Sequence, residues 1–145
     1  TIQMLIKVLR LKKNLQKFGL WDEVLAAENI ILINPVGYHE MLRLNMSAAI
    51  MLTDSGGLQE ECCVLGTPCL TLRWNTERPV TLKEHGGVSV LTGNNIKRIR
   101  EEYKTARAES RRSIRPELWD GQTAVRCLEA ILNYPGQGTE QVAAS

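Results

Sequence analysis

The chain has no apolar run approaching the roughly 20 residues that a membrane-spanning helix needs, and no charged-then-apolar leader opens it, so no membrane partner is expected. Charge of one sign is also missing. With 18 Lys and Arg against 16 Asp and Glu the net charge is +2, too little to suggest a nucleic-acid partner. The basic residues between Lys97 and Arg115 are interleaved with acids, which reads as a solvated helix face. The four cysteines, Cys62, Cys63, Cys69 and Cys127, include no C-x-x-C pair. Two adjacent cysteines suit neither a tetrahedral metal site nor an ordinary disulfide. Reduced, mostly buried thiols, a cytoplasmic location and no metal are therefore expected. There are no internal repeats and no low-complexity block, and neither the Walker pattern nor the dinucleotide fingerprint occurs. Thr1 stands where a methionine would begin a complete chain, as in a piece of a longer protein.

What is present fits one α/β domain: 145 residues, 43% of them hydrophobic and 23% charged. Residues 2–18 place Ile2, Leu5, Ile6, Leu9, Leu15 and Phe18 close to a helical stripe, with Gly19 as a stop. A short helix is predicted from Trp21 and a buried strand at 30–34. Helical spacing returns over 37–47, and a second continuous apolar run, 48–54, reads as a strand covered on both faces. "GLQEECCVLG" predicts a helix capped by Gly66, and "PCLTLR" a third strand. A short helix with Pro79 in its first turn follows, then a strand at 88–93. Asn94 or Asn95 caps a helix to about Ser110, and 121–133 is another. Alternating strands and helices imply a Rossmann-like parallel sheet with helices on both faces, over residues 1–133, with a flexible polar tail at 134–145.

"MLTDSGGLQEECCVLGTP", residues 51–68, puts Asp54-Ser55-Gly56-Gly57 where a strand hands over to a helix. In open parallel sheets ligands sit beyond the C-terminal strand ends. Glycines let the backbone approach a ligand, the first helix amides point outward with the positive end of the dipole, and Ser55 adds a hydroxyl donor. A phosphate site is one reading. A plain N-cap by Asp54 or Ser55, with glycines that only turn the chain, is the other. Glu60 and Glu61 follow in the first turns, suited to a ribose diol or simply favoured there by the dipole. "TERP", 76–79, sets Arg78 near the same sheet edge, where a guanidinium can clamp a diphosphate or form a surface ion pair with Glu77.

The stretch 52–86, from "LTDSGGLQEE" through "TERPVTLKEHG", resembles the signature of the non-hydrolysing UDP-N-acetylglucosamine 2-epimerases. Residues 35–44, 15–32 and the "DGQTAVRCLEAI" end continue the likeness, which covers about residues 10–133. The resemblance implies two Rossmann-like domains of the glycosyltransferase-B type, with this chain as an incomplete C-terminal half. It implies UDP or UDP-N-acetylglucosamine as partner. Ser55, Gly56 and Gly57 would bind the diphosphate, Glu61 the ribose hydroxyls, and Arg78 phosphate charge. Backbone near Val36, with Met41 or Tyr38 nearby, would meet the uracil.

The family's reaction resembles elimination and re-addition: a base removes the C2 proton, UDP leaves C1, and the glycal is reprotonated from the other face. The resemblance puts the family's acid and base groups in the N-terminal domain and early in the C-terminal one, so this chain carries no catalytic residue over and no cofactor is expected. It also departs from the pattern at "VLRL", 8–11, where a His-Pro-Arg-Thr-like segment is expected and only Arg10 is kept. His85 reads as a surface residue, and nothing pairs His39 with an acid. Two readings stand: part of an epimerase, active only with its missing half, or a free-standing α/β module that binds nucleotide or self-associates. A two-fold homodimer is expected, through an apolar stripe at 1–18 that includes Leu5, Leu9 and Leu15 and forms one continuous helix.

Overall fold

Short apolar runs separated by helical segments leave the backbone one economical pairing, parallel strands joined by helical crossovers. A computed structural model describes residues 4–7 and 10–134, with side chains from residue 12. The chain divides between Ser47 and Ala48 into two compact units.

The first unit runs β1 (Met4–Lys7), α1 (Arg10–Lys17), α2 (Trp21–Ala26), β2 (Ile30–Ile33) and α3 (Tyr38–Ser47). β1 and β2 pair in parallel, with Met4 opposite Ile30 and Lys7 opposite Ile33. The single helix expected over the first 18 residues is therefore corrected to a strand followed by a helix. Three apolar residues in a row fit either period, and here the backbone of 30–33 offers a ladder that a helix could not use. α1 stops at Gly19, whose φ of +69° is left-handed, as expected.

The second unit carries β3 (Met51–Thr53), α4 (Gly56–Leu65), β4 (Cys69–Thr71), β5 (Ser89–Leu91), α5 (Ile96–Ala108) and α6 (Thr123–Leu132). Its sheet has the order β3-β4-β5, all parallel, with Met51 opposite Cys69 and Cys69 opposite Ser89. The ladder continues past the strand ends: Leu72 N–H donates to Thr53 O, and Thr92 N–H to Thr71 O, both at 2.9 Å. α4 packs on all three strands and α5 on β4. This is the α/β, Rossmann-like architecture that the alternating pattern predicts.

The "TERP" helix is a correction. Residues 79–85 form two separate 3-10 turns, Pro79–Thr81 and Lys83–His85, broken at Leu82, which is extended at φ −76°, ψ 146°. Pro79 removes one N–H, and the turns end at Gly86 with φ +88°. Behind the first turn, Gly87 passes so close to the Thr81 backbone that no Cβ fits there.

The core is small and rich in sulfur. Cys62, Cys63, Cys69 and Val88 are buried together, with Met51, Ile114 and Trp119 packed against them. α4 ends at Gly66 with φ +73°, and a Cβ there would lie 2.6 Å from Ser113 N. That close crossing lets Ile114 N–H donate to Cys63 O at 3.0 Å and Ser113 Oγ to Val64 O at 2.5 Å. Among the described residues no helix is long and apolar enough to cross a membrane. The expected tail lies outside the described residues beyond Tyr134.

Candidate functional site

β3 ends at Thr53, and its buried hydroxyl accepts the Ser55 N–H at 3.0 Å. This bond turns the chain out of the sheet. Ser55 is extended and caps α4, but its Oγ accepts from Leu58 N–H only at 3.5 Å, the long limit of a hydrogen bond. The cap is real and weak. It leaves the hydroxyl easily recruited, beside amides of Gly56 and Gly57 that have no acceptor one turn back.

Arg78 is brought to this helix start from the other side. Its Nε lies 2.7 Å from Glu60 Oε1, an ion pair whose angle falls outside hydrogen-bond geometry. The sequence offered Glu77 as partner, but neighbouring side chains point apart. Glu77 pairs with Arg73 instead, at 2.8 Å. A Cβ on Gly56 would sit 2.8 Å from Glu77 Oε1 and 3.8 Å from Arg78 Cγ, so the glycine is where "DSGG" and "TERP" meet. The backbone N–H of Glu77 itself, then Arg73 and Arg78, hold the Glu77 carboxyl below the ordinary range, partly offset by desolvation. A carboxylate thus already rests against the start of α4.

Glu60 is committed to Arg78, so the two glutamates are not equivalent. Glu61 is half-buried, and its Oε2 is closed from solvent without a hydrogen-bond partner among the described residues. A buried carboxylate oxygen with nothing to accept is costly and marks a place where a donor is missing.

Gln59 was not singled out from sequence. It is fully buried and its Oε1 accepts from Thr76 Oγ1 at 2.9 Å, with Thr81 Oγ1 at 3.5 Å. A glutamine beside two glutamates gives no signal by itself. Only its place on the same helical face as Leu58, Cys62 and Cys63 hints at burial. Trp74 was also missed: its ring lies on Gly93, where a Cβ would come within 2.6 Å of the indole.

Val36 belongs to the first unit, half-buried between β2 and α3, with Met41 half-buried and Tyr38 exposed. His39 meets the Tyr38 ring edge-on, at 5.8 Å between centroids. His85 is an exposed side chain 3.7 Å from Glu84. A depression of about 430 Å³ lined by Gly66, Pro68, Lys83, Glu109 and Arg112 opens at the opposite, N-terminal ends of β4 and β5. Ser55, Gly56, Gly57, Glu61 and Arg78 line neither it nor the depression of about 320 Å³ beside Trp74 and Arg98. Their arrangement is an open surface, as one wall of a cleft would be. Among the described residues no three His, Cys, Asp or Glu side chains converge as a metal site.

The family model described as UDP-N-acetylglucosamine 2-epimerase matches residues 4–132. A UDP-N-acetylglucosamine 2-epimerase of Methanocaldococcus jannaschii is 48% identical over 90 residues, 62% of this chain and 24% of that protein. A UDP-N-acetylglucosamine 2-epimerase homolog of Methanococcus maripaludis is 36% identical over 124 residues, 86% of this chain and 34% of its own. The M. jannaschii epimerase crystallised in complex with UDP-GlcNAc and UDP superposes with a TM-score of 0.75 at 37% identity, covering 88% of this chain and 35% of that one. The chain spans about a quarter to a third of the length of these curated relatives.

Proposed function

Because the chain belongs to the UDP-N-acetylglucosamine 2-epimerase family, we propose that it is the UDP-binding, C-terminal portion of such an enzyme. The observation that carries this reading is the meeting of Arg78 with the start of α4 at Gly56, the motif spacing turned into one surface. There, Ser55 Oγ and the amides of Gly56 and Gly57 take the diphosphate and Arg78 neutralises it. Glu61 accepts the ribose hydroxyls. The relative crystallised with UDP-GlcNAc and UDP supports a nucleotide-sugar ligand.

In the interconversion of UDP-GlcNAc and UDP-ManNAc, UDP must leave C1 with its charge held. Preorganised donors at the leaving diphosphate serve that step. Removal of the C2 proton needs a positioned base, which none of these residues supplies, so the chain alone is inactive. Calorimetric titration with UDP is the test: weak binding is expected, weakened roughly ten-fold or more by Arg78→Ala, since a bond to a charged group contributes about 1.5–3 kcal/mol. No binding at millimolar UDP sinks the reading, and so does binding indifferent to Arg78. Deuterium entering C2 of UDP-GlcNAc from solvent, seen by NMR with the pure chain, would overturn its inactivity.

A homodimer remains part of this proposal on new grounds. The single helix is gone, but Phe18, Leu20 and Leu25 are exposed apolar side chains of the first unit. A single species of about 16 kDa in sedimentation would refute self-association; the chain mass is 16.3 kDa.

A further inference from the structure

Two neighbouring residues of α4 hold the Arg78 loop, and they do so differently. Glu60 holds the guanidinium by an ion pair exposed by 38% and 41% on its two sides, so solvent screens it and a phosphate can exchange with it. Gln59 reaches the backbone. Its Oε1 accepts from Thr76 Oγ1, which in turn accepts the Arg78 N–H at 3.0 Å. On the other side of Arg78, Thr81 Oγ1 donates to Arg78 O at 2.8 Å, the shorter of its two options, and lies 3.5 Å from the same Gln59 oxygen. The Arg78 N–H is thereby tied through Thr76 to one buried side-chain carbonyl, and Thr81 holds the Arg78 carbonyl beside it.

We propose that Gln59 is a positioning residue: through Thr76 it fixes the Arg78 backbone and so aims the guanidinium at the anion seat of Ser55 to Gly57. This rests on the UDP-binding reading above. The other half of the amide makes the case sharper. Gln59 Nε2 is buried with no hydrogen-bond partner among the described residues. A residue serving only to pack would be better apolar here, since a buried donor left unmade opposes folding. The amide is justified by what its oxygen holds.

The test uses the full chain and three variants. Gln59→Met keeps the volume and removes both the acceptor and the orphan donor; Thr76→Val cuts the relay, and Thr76→Ser keeps it. Melting temperature should change little in Gln59→Met, while UDP affinity falls roughly ten-fold or more, as for one misplaced charge-assisted contact. Thr76→Val should follow it and Thr76→Ser should bind like the parent. In an Arg78→Ala background Gln59→Met should cost nothing further, because the two changes remove one interaction. Unchanged UDP affinity in Gln59→Met, or a full additional loss on top of Arg78→Ala, overturns the proposal. Should the parent chain bind no UDP, the UDP reading fails but the relay is still decided by hydrogen exchange. The Arg78 amide should exchange at least about ten-fold faster in Gln59→Met and Thr76→Val but not in Thr76→Ser, and equal rates in all would refute it.

Discussion

Gly56→Ala separates the fold of this chain from its proposed chemistry. The added methyl would meet Glu77 Oε1 at 2.8 Å and Arg78 Cγ at 3.8 Å. The close contact is with the far end of an exposed side chain, which can swing aside. The position opens α4 with no left-handed φ, so alanine fits the backbone, and the helix gains up to about 1 kcal/mol from the exchange of glycine. Stability should therefore hold or rise by a few degrees. Binding should weaken, because the methyl stands where a phosphate would come within reach of the first amides and of Arg78. Loss of one bond to a charged group is about 1.5–3 kcal/mol, and each 1.4 kcal/mol is ten-fold, so UDP affinity should drop about ten- to hundred-fold. Thermal melts paired with calorimetry read both. A variant that melts like the parent and binds UDP equally well would refute the placement of the diphosphate at Gly56.

Gly66→Ala should do the reverse, destabilising by at least about 2 kcal/mol, because its φ is +73° and its Cβ would press on Ser113 N at 2.6 Å; an unchanged melting temperature would contradict the crossing described. One thiol of the four should react quickly with an aromatic disulfide reagent, since Cys127 is exposed and Cys62, Cys63 and Cys69 are buried, and burial also pushes the Cys63 thiol up. All four should react in denaturant, and more than one fast thiol in the native chain would count against the sulfur core. Arg126 and then the Gln122 N–H hold the Asp120 carboxyl well below the ordinary carboxylate range. A depressed folded value stabilises above the unfolded pKa of about 3.9 and is lost only as pH falls through the lower one. Protection of the α6 amides should therefore be flat from neutral pH to about 4, decline below it, and be weakened across the flat range by Asp120→Asn; a decline beginning near pH 6 would assign the anchor elsewhere.

Much of this architecture could be read from residues that leave the chain one choice. Gly19 and Gly66 stop helices because only glycine enters the left-handed region cheaply, and Asn95 caps α5 by accepting from Arg98 N–H at 3.0 Å. Met4 to Lys7 was misread because four residues do not define a period. The turns after Arg78 were misread because helical spacing says nothing of Leu82, which must be extended between them. Of the candidate site, Ser55 to Gly57, Glu61 and Arg78 were legible as residue types at a spacing. The partner of Arg78 was not, since Glu77 is nearer in sequence and Glu60 nearer in space. Gln59 was invisible for a deeper reason: its importance is a property of burial, and burial is created by the loop that lands on it.

The crowded crossing of Gly87 behind Thr81 bears on how this surface can evolve. Any side chain at that position must push the Thr81 backbone, and Thr81 is tied through Arg78 O to the residue that would meet the ligand. Position 87 is buried, and a side chain there would meet the Thr81 backbone rather than any residue proposed to contact the ligand. A mutational library selected for nucleotide binding would nonetheless be purged there as severely as at the ligand contacts themselves. Substitution tolerance mapped along this chain will trace the mechanical support of the turn as clearly as the ligand's footprint, and glycine at 87 fixes the boundary between the two.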